Sequence, residues 1–133
     1  MSTIELKKMI YAFLRTKASK VYPSDSMPEN ATLPYTTYGL TSSFTDENQK
    51  LEVFSLFVDN WDNNPDTTAL ETVTGSIDGD GSITGATGLH RKRYYTSGTL
   101  LASIYREARL EIEDEDPAIR RRRLRYEVQA YLS

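Results

Sequence analysis

The chain has no cysteine and a single histidine, His90, in 133 residues. Without cysteine neither a disulfide framework nor a thiolate metal site can form, and the chain is compatible with the reducing interior of a cell. One histidine leaves zinc sites and histidine-based catalytic triads without partners. Long apolar runs are missing too, because charged residues such as Lys7, Arg15 and Asp59 interrupt them. We therefore expect a soluble intracellular protein with no targeting peptide and no membrane span.

The chain also lacks an excess of positive charge. Its formal net charge is −3, and residues 99–133 contain seven Lys or Arg against seven Asp or Glu. A general nucleic-acid binder normally has a basic excess on one face. The length suits one core without cross-links, so residues 1–133 are expected to form a single domain.

The last third of the sequence has the pattern of one long charged β-hairpin. Apolar residues alternate from Ser103 to Ile112 and again from Leu124 to Leu132, which is typical of two strands. Pro117 is a turn former between them. Acidic residues end the first arm and arginines begin the second. If the arms pair about Asp116–Ala118, opposite charges face each other, which is worth roughly 0.2–1 kcal/mol per pair.

Two helices are predicted from apolar residues at helical spacing. The first begins at the capping-box pair Ser2 and Glu5 and ends near Val21–Pro23. The second begins at Thr68 and Glu71, which have the same spacing, and ends at the glycines that follow Ile77. The glycine-rich segment from Gly79 to Gly98 is either a long loop or a short irregular strand.

Two further strands are predicted, from Leu33 to about Ser42 and from Lys50 to Trp61. The element order is then α-β-β-α-β-β, with the long hairpin at the C-terminal end. This order predicts an α+β fold in which two helices cover one face of an antiparallel or mixed four-stranded sheet.

The strand from Lys50 to Trp61 is apolar on both faces. Its two faces carry Leu51, Val53, Phe57 and Trp61 on one side and Phe54, Leu56 and Val58 on the other. Such a strand needs cover on both sides, and two helices cover only one. We therefore expect one set to lie in the core and the other to meet a second copy of the protein or the segment from Gly79 to Gly98, and the sequence does not determine which set does which. With the charged hairpin, the candidate interface residues are Phe54, Leu56, Val58, Glu113, Asp114, Glu115, Asp116, Arg120, Arg121, Arg122, Arg123 and Arg125.

Several residues suggest chemistry that the rest of the pattern does not support. Asp78–Ile83 is similar to the middle of an EF-hand loop, but Ser76 and Thr87 stand where the first and closing ligands belong. The carboxylates near the hairpin tip are expected in solvent, where nothing separates their pKa values. Arg120–Arg123 with Tyr126 could suit nucleic acid, yet successive strand residues point to opposite sides. The sequence predicts no catalytic residue, no metal site and no cofactor.

Three stretches of the sequence resemble the tail-completion proteins of long-tailed bacteriophages, also called tail terminators or tail-to-head joining proteins. They are Val21–Pro23, Ala31–Tyr38 with its Leu-Pro-Tyr, and the C-terminal Asp114–Asp116 followed by Arg121–Val128. The resemblance covers nearly the whole chain. The segment from Gly79 to Gly98 departs from it, being longer than expected for the family.

The resemblance implies a structural virion protein and no enzyme. It implies a homo-oligomeric, hexameric ring at the head-proximal end of the tail tube, in the virion and, during assembly, in the host cytoplasm. One face of the ring would meet the tail tube protein and the other the head-completion or connector protein. DNA would pass through the lumen without specific binding. The alternative is an intracellular adaptor that binds a protein partner through its charged hairpin.

Overall fold

The computed structural model describes residues 3–46, 51–82, 85–96 and 99–131. Within these ranges the elements, in chain order, are α1 (Thr3–Arg15), β1 (Val21–Pro23), β2 (Tyr35–Asp46), β3 (Leu51–Asp62), α2 (Thr68–Asp78), β4 (Arg93–Thr96), β5 (Thr99–Glu113) and β6 (Arg120–Tyr131). The strands form one curled, mixed sheet in the order β1-β2-β3-β6-β5-β4. β1 is parallel to β2, and the other neighbours are antiparallel.

The predicted four-stranded sheet is wrong, because β1 and β4 add a strand at each edge. Both are too short, at three and four residues, to show an alternating pattern in the sequence. Pro23 belongs to β1, and proline is tolerated on an edge strand, where one side of the backbone is unpaired. β4 lies in the glycine-rich segment that the sequence left open between loop and strand.

The four strands expected from the sequence are present with shifted ends. β2 continues past Ser42 to Asp46, and its register with β3 shifts between Ser42 and Phe44. The turn of the C-terminal hairpin is centred where the charge pattern places it, since Glu113 pairs with Arg120. Lys50 and Leu132, to which two predicted strands extend, lie outside the described residues.

Each helix packs an apolar stripe on the sheet. α1 buries Leu6, Ile10 and Leu14, and α2 buries Leu70 and Ile77. Neither helix, among the residues described, has the length and hydropathy of a membrane span.

The predicted capping box of α2 is wrong. The carboxylate of Asp66 accepts the backbone N–H of Thr68 at 2.9 Å, while Glu71 bonds to arginines of the sheet. Asp66 thus supplies the acceptor that the first turn of the helix requires. Ser2, the predicted cap of α1, is outside the described residues.

The hydrophobic core lies between the helices and one face of the sheet. Phe54, Leu56 and Val58 of β3 belong to it, with at most 3% of each residue exposed. Their assignment as interface residues is therefore corrected, because side chains buried by their own helices cannot contact a second copy. The sequence could not choose between the two faces, since both are apolar.

The segment after α2 returns to the core. Gly79 has φ +78°, and a Cβ there would lie 2.2 Å from the backbone nitrogen of Gly88. This close approach lets the N–H of Leu89 donate to the carbonyl of Ile77 at 2.7 Å, and Leu89 is fully buried. The glycines therefore fix a tight return that fills the core, as their left-handed φ and missing Cβ allow.

Candidate interaction surface

The arginines of β6 are divided between the two faces of the sheet. Because side chains alternate along a strand, Arg121, Arg123 and Arg125 lie on the face opposite the helices, and Arg120 and Arg122 lie on the helix side. We call the face opposite the helices the open face. On it β3 contributes residues 51, 53, 55, 57, 59 and 61, directly paired with β6.

Asp59 holds two of the open-face arginines. Its carboxylate accepts bonds from Nε and Nη2 of Arg123 at 2.8 and 3.1 Å and from Nη2 of Arg121 at 2.9 Å. Only 5% of Asp59 is exposed, although it lies on the face that no helix covers. Forked contacts of this kind are stronger than single ion pairs, so Asp59 fixes both guanidinium groups in place.

Aromatic rings support the same guanidinium groups. Arg121 lies 4.3 Å from the ring centre of Trp61, and Arg123 lies 4.8 Å from that of Phe57. Tyr35 of β2 continues the row, with its ring centre 6.0 Å from that of Trp61. Cations over aromatic faces are attracted by about 0.5–1 kcal/mol at exposed sites and more where water is excluded. The open face thus presents ordered cationic and aromatic groups.

On the helix side, the carboxylate of Glu71 in α2 accepts hydrogen bonds from two arginines of the hairpin. Nη2 of Arg109 donates to it at 2.7 Å, and Nε of Arg122 donates to its other oxygen. The hydrogen bond from Arg122 is the main cause that lowers the pKa of Glu71 below its usual value. These bonds tie the first turn of α2 to β5 and β6.

Replacing Glu71 with glutamine is expected to lower the free energy of unfolding by about 1 kcal/mol at pH 7, since its side chain is 40% exposed and solvent screens the pairs. A lowered pKa means that the stabilisation is complete above the unfolded value of about 4.3 and is lost as pH falls through the folded value. Urea unfolding at pH 7 and at a pH low enough to protonate Glu71 in the folded protein measures both effects. The variant and the wild type should converge at the lower pH, whereas Glu29→Gln, in an exposed loop, should change little at either pH.

Asp78 is a buried anchor at the end of α2. Its carboxylate accepts the hydroxyl of Tyr126 at 2.9 Å and a bond from Arg106. Burial raises the pKa of the Tyr126 hydroxyl, which stays protonated as a donor. Asp80 in turn accepts the N–H of Ser82 at 3.0 Å. Both acids of the EF-hand-like sequence therefore serve the fold, and Ile83 is outside the described residues.

The predicted pairing of acids and arginines within the hairpin is only partly seen. Glu111 lies 3.7 Å from Arg122, and Glu113 is opposite Arg120 in the ladder. The closer partners of the arginines are Asp59 and Glu71, which come from outside the hairpin. The acids of the turn form a separate group, residues 113–116, which we call the acidic tip.

The only histidine of the sequence, His90, forms a structural hydrogen bond through its side chain. Nδ1 of His90 accepts the backbone N–H of Arg106 at 3.0 Å, which fixes the segment before β4 to β5. Within the described ranges, no three histidine or acidic side chains converge in a way that could hold a metal ion.

Asp59 and Glu71 were not predicted from the sequence as partners of the arginines. Asp59 had a signal, because it is an acid within the most apolar strand of the chain and needs a buried cation. The arginine-rich strand is the one place that supplies several. Glu71 had no such signal in the sequence, since its position three residues after Thr68 fits a capping box equally well.

Comparisons with known proteins give a likeness of fold. No protein-family model matches the sequence, and no curated protein matches it. Among solved structures, a chain described as part of the virion of a native gene transfer agent particle is similar, with a TM-score of 0.68 and 14% sequence identity. The similarity covers 91% of this chain and 90% of that one. The chain therefore shares its fold, over nearly its whole length, with a chain of a virion.

Proposed function

We propose that this protein is a structural subunit of a virion. The observation that supports this most is the shared fold, which covers 91% of the chain and 90% of a chain from a gene transfer agent virion. The resemblance to tail-completion proteins rests on different observations, namely the short sequence motifs around Pro34 and in β6. A likeness of fold and a likeness of sequence thus support the same class of role.

Within the virion, the proposal places the protein in a closed ring that ends the tail tube and joins it to the head-side connector. A ring forms when two different patches of one subunit meet, so each subunit needs two exposed and complementary surfaces. The open face, with its ordered arginines and aromatic rings, is one such surface. The buried acids Asp59 and Asp78 hold arginines of the sheet, and this structural use of buried carboxylates suits a structural subunit.

Deleting the gene is expected to abolish joined particles. Electron micrographs should show heads without tails and tubes of irregular length, because a tube with an unblocked end continues to add subunits. Expression of the wild-type chain in trans should restore joined particles, and antibody labelling should mark the junction of head and tail.

Normal particles from the deletion would contradict the proposal and favour the adaptor. In that case the chain should be found with a cellular protein partner and be absent from purified particles. The position of the gene gives an independent test, since a tail terminator gene is expected among head-completion and tail-tube genes.

A further inference from the structure

On the open face, β6 contributes three arginines and one acid, Glu127, and β3 contributes Asp59, so these two strands leave the face with an excess of positive charge. Arg121 and Arg123 share the single carboxylate of Asp59. No acid of the described residues is within ion-pair distance of Arg125, the third arginine of the row. Arg125 is half-buried and faces Phe57 and Ala108 across the ladder. Its Nε is buried without a hydrogen-bond partner among the described residues, so Arg125 is a cation that a carboxylate from outside could pair.

The acidic tip has the opposite imbalance. Asp114 and Asp116 use their carboxylates to accept the backbone N–H groups of Asp116 and Ala118, at 3.1 and 2.9 Å, which shapes the turn. Glu115 is exposed. None of the three forms an ion pair with a described residue. The tip is therefore a shaped turn, flanked by Pro117 and Ile119, whose carboxylates at 114–116 have no ion-pair partner among the described residues, while Glu113 at its base is opposite Arg120.

The tip cannot reach Arg125 of its own chain. Arg120 and Arg125 are about 17 Å apart along β6 at roughly 3.4 Å per residue, and the tip is farther still. Both arms are held in the sheet, β6 being paired on both sides. The two uncompensated charges of one hairpin can therefore neutralise each other only between different copies.

We propose that the acidic tip of one copy docks on the open face of the next copy, with its carboxylates beside Arg125. The occupant of the open face is thus a second copy of this chain. The contact joins two different patches, which is the kind that closes a ring. This inference rests on the proposed ring and specifies which surfaces of neighbouring subunits meet.

Disulfide trapping tests the contact directly, because the chain has no cysteine of its own. Ala108 lies opposite Arg125 on the open face, and Ala118 is exposed at the turn. The double variant Ala108→Cys/Ala118→Cys should give a ladder of cross-linked copies on oxidation, both as purified protein and in particles. A bond within one chain is excluded, since Ala108 is about 17 Å from Glu113, beyond the roughly 7 Å limit for a disulfide.

The controls separate this contact from others. Each single variant should stay uncross-linked, and so should Ala108→Cys combined with Ala12→Cys on the exposed side of α1. Dimers from Ala118→Cys alone would mean that tips meet tips and would overturn the proposal. The absence of a ladder in both purified protein and particles would also overturn it.

Charge exchange tests the chemistry of the contact. In the double-cysteine background, Arg125→Glu or Glu115→Lys should reduce the yield of cross-linked copies at least about tenfold. Combining the two reversals should recover most of it. Arg121 and Arg123 are unsuitable because they hold Asp59, and Asp114 and Asp116 because they shape the turn. Lys8→Glu, an exposed reversal on α1, is the matched control and should leave the yield unchanged.

The outcomes distinguish this inference from the proposed function. Particles that contain the chain but give no ladder would refute the docking and leave the virion role standing. Particles without the chain would refute the virion role itself. If Arg125→Glu leaves the ladder unchanged and instead abolishes retention of double-stranded DNA, the open face binds nucleic acid and the docking proposal is wrong.

Discussion

Phe54→Ala should lower the free energy of unfolding by about 3–5 kcal/mol, the usual cost of a large cavity in a core. Phe54 is 3% exposed and packs beneath the helices. Phe57→Ala, on the open face of the same strand, should cost about 1–2 kcal/mol, from partial burial and the lost contact with Arg123. The two variants remove the same atoms from neighbouring positions of β3, so the difference measures the cover that the helices provide.

Urea unfolding followed by circular dichroism, at protein concentrations low enough to keep the chain monomeric, gives both values. An equal loss for Phe54→Ala and Phe57→Ala would mean that the open face is covered as fully as the helix face. The surface proposed for docking would then not exist.

The elements with long periodic patterns are those that the sequence could predict. The helix around Ile10 and the hairpin about its turn follow from apolar spacing and charge, which are local properties of the chain. The choice of face for Phe54 could not be made locally, because β3 is apolar on both sides. Which face of β3 is buried depends on the residues of the neighbouring strands. In the assembled sheet, Asp59 and the other residues of its face lie beside Arg121 and Arg123, so the opposite face with Phe54 lies under the helices.

Neither the edge strands nor the partners of the arginines could be predicted from the sequence, for a different reason. Three residues ending in Pro23 show no period, and β4 is hidden among glycines. The arginines of β6 suggested partners within the hairpin, where opposite charges are closest in sequence. In the sheet β6 is central, so β3 and α2 are equally near and offer better-buried carboxylates. The central position of β6 in the sheet, which is a property of the topology, therefore decided which acids pair with its arginines.

Asp59→Asn should lower the free energy of unfolding by about 2–4 kcal/mol. The amide retains the size of the carboxylate but removes its charge, which leaves Arg121 and Arg123 as cations with 20% and 29% exposed side chains and no acid. Breaking a fully buried pair costs about 3–5 kcal/mol, and the partial exposure of the guanidinium groups reduces that cost. Chemical unfolding at pH 7 measures the loss.

Arg125→Gln provides the matched comparison for Arg123→Gln on the same strand and face. Arg123→Gln removes the forked ion pair with the buried carboxylate of Asp59, which keeps only its single bond from Arg121, and should cost about 2 kcal/mol. Arg125→Gln removes a cation that pairs with no acid of the described residues and should cost less than about 1 kcal/mol. Equal costs at the two positions would show that Arg125 is neutralised within its own chain. A free Arg125 is the condition for docking of the acidic tip, so this comparison also decides whether the open face has a charge to offer a second copy.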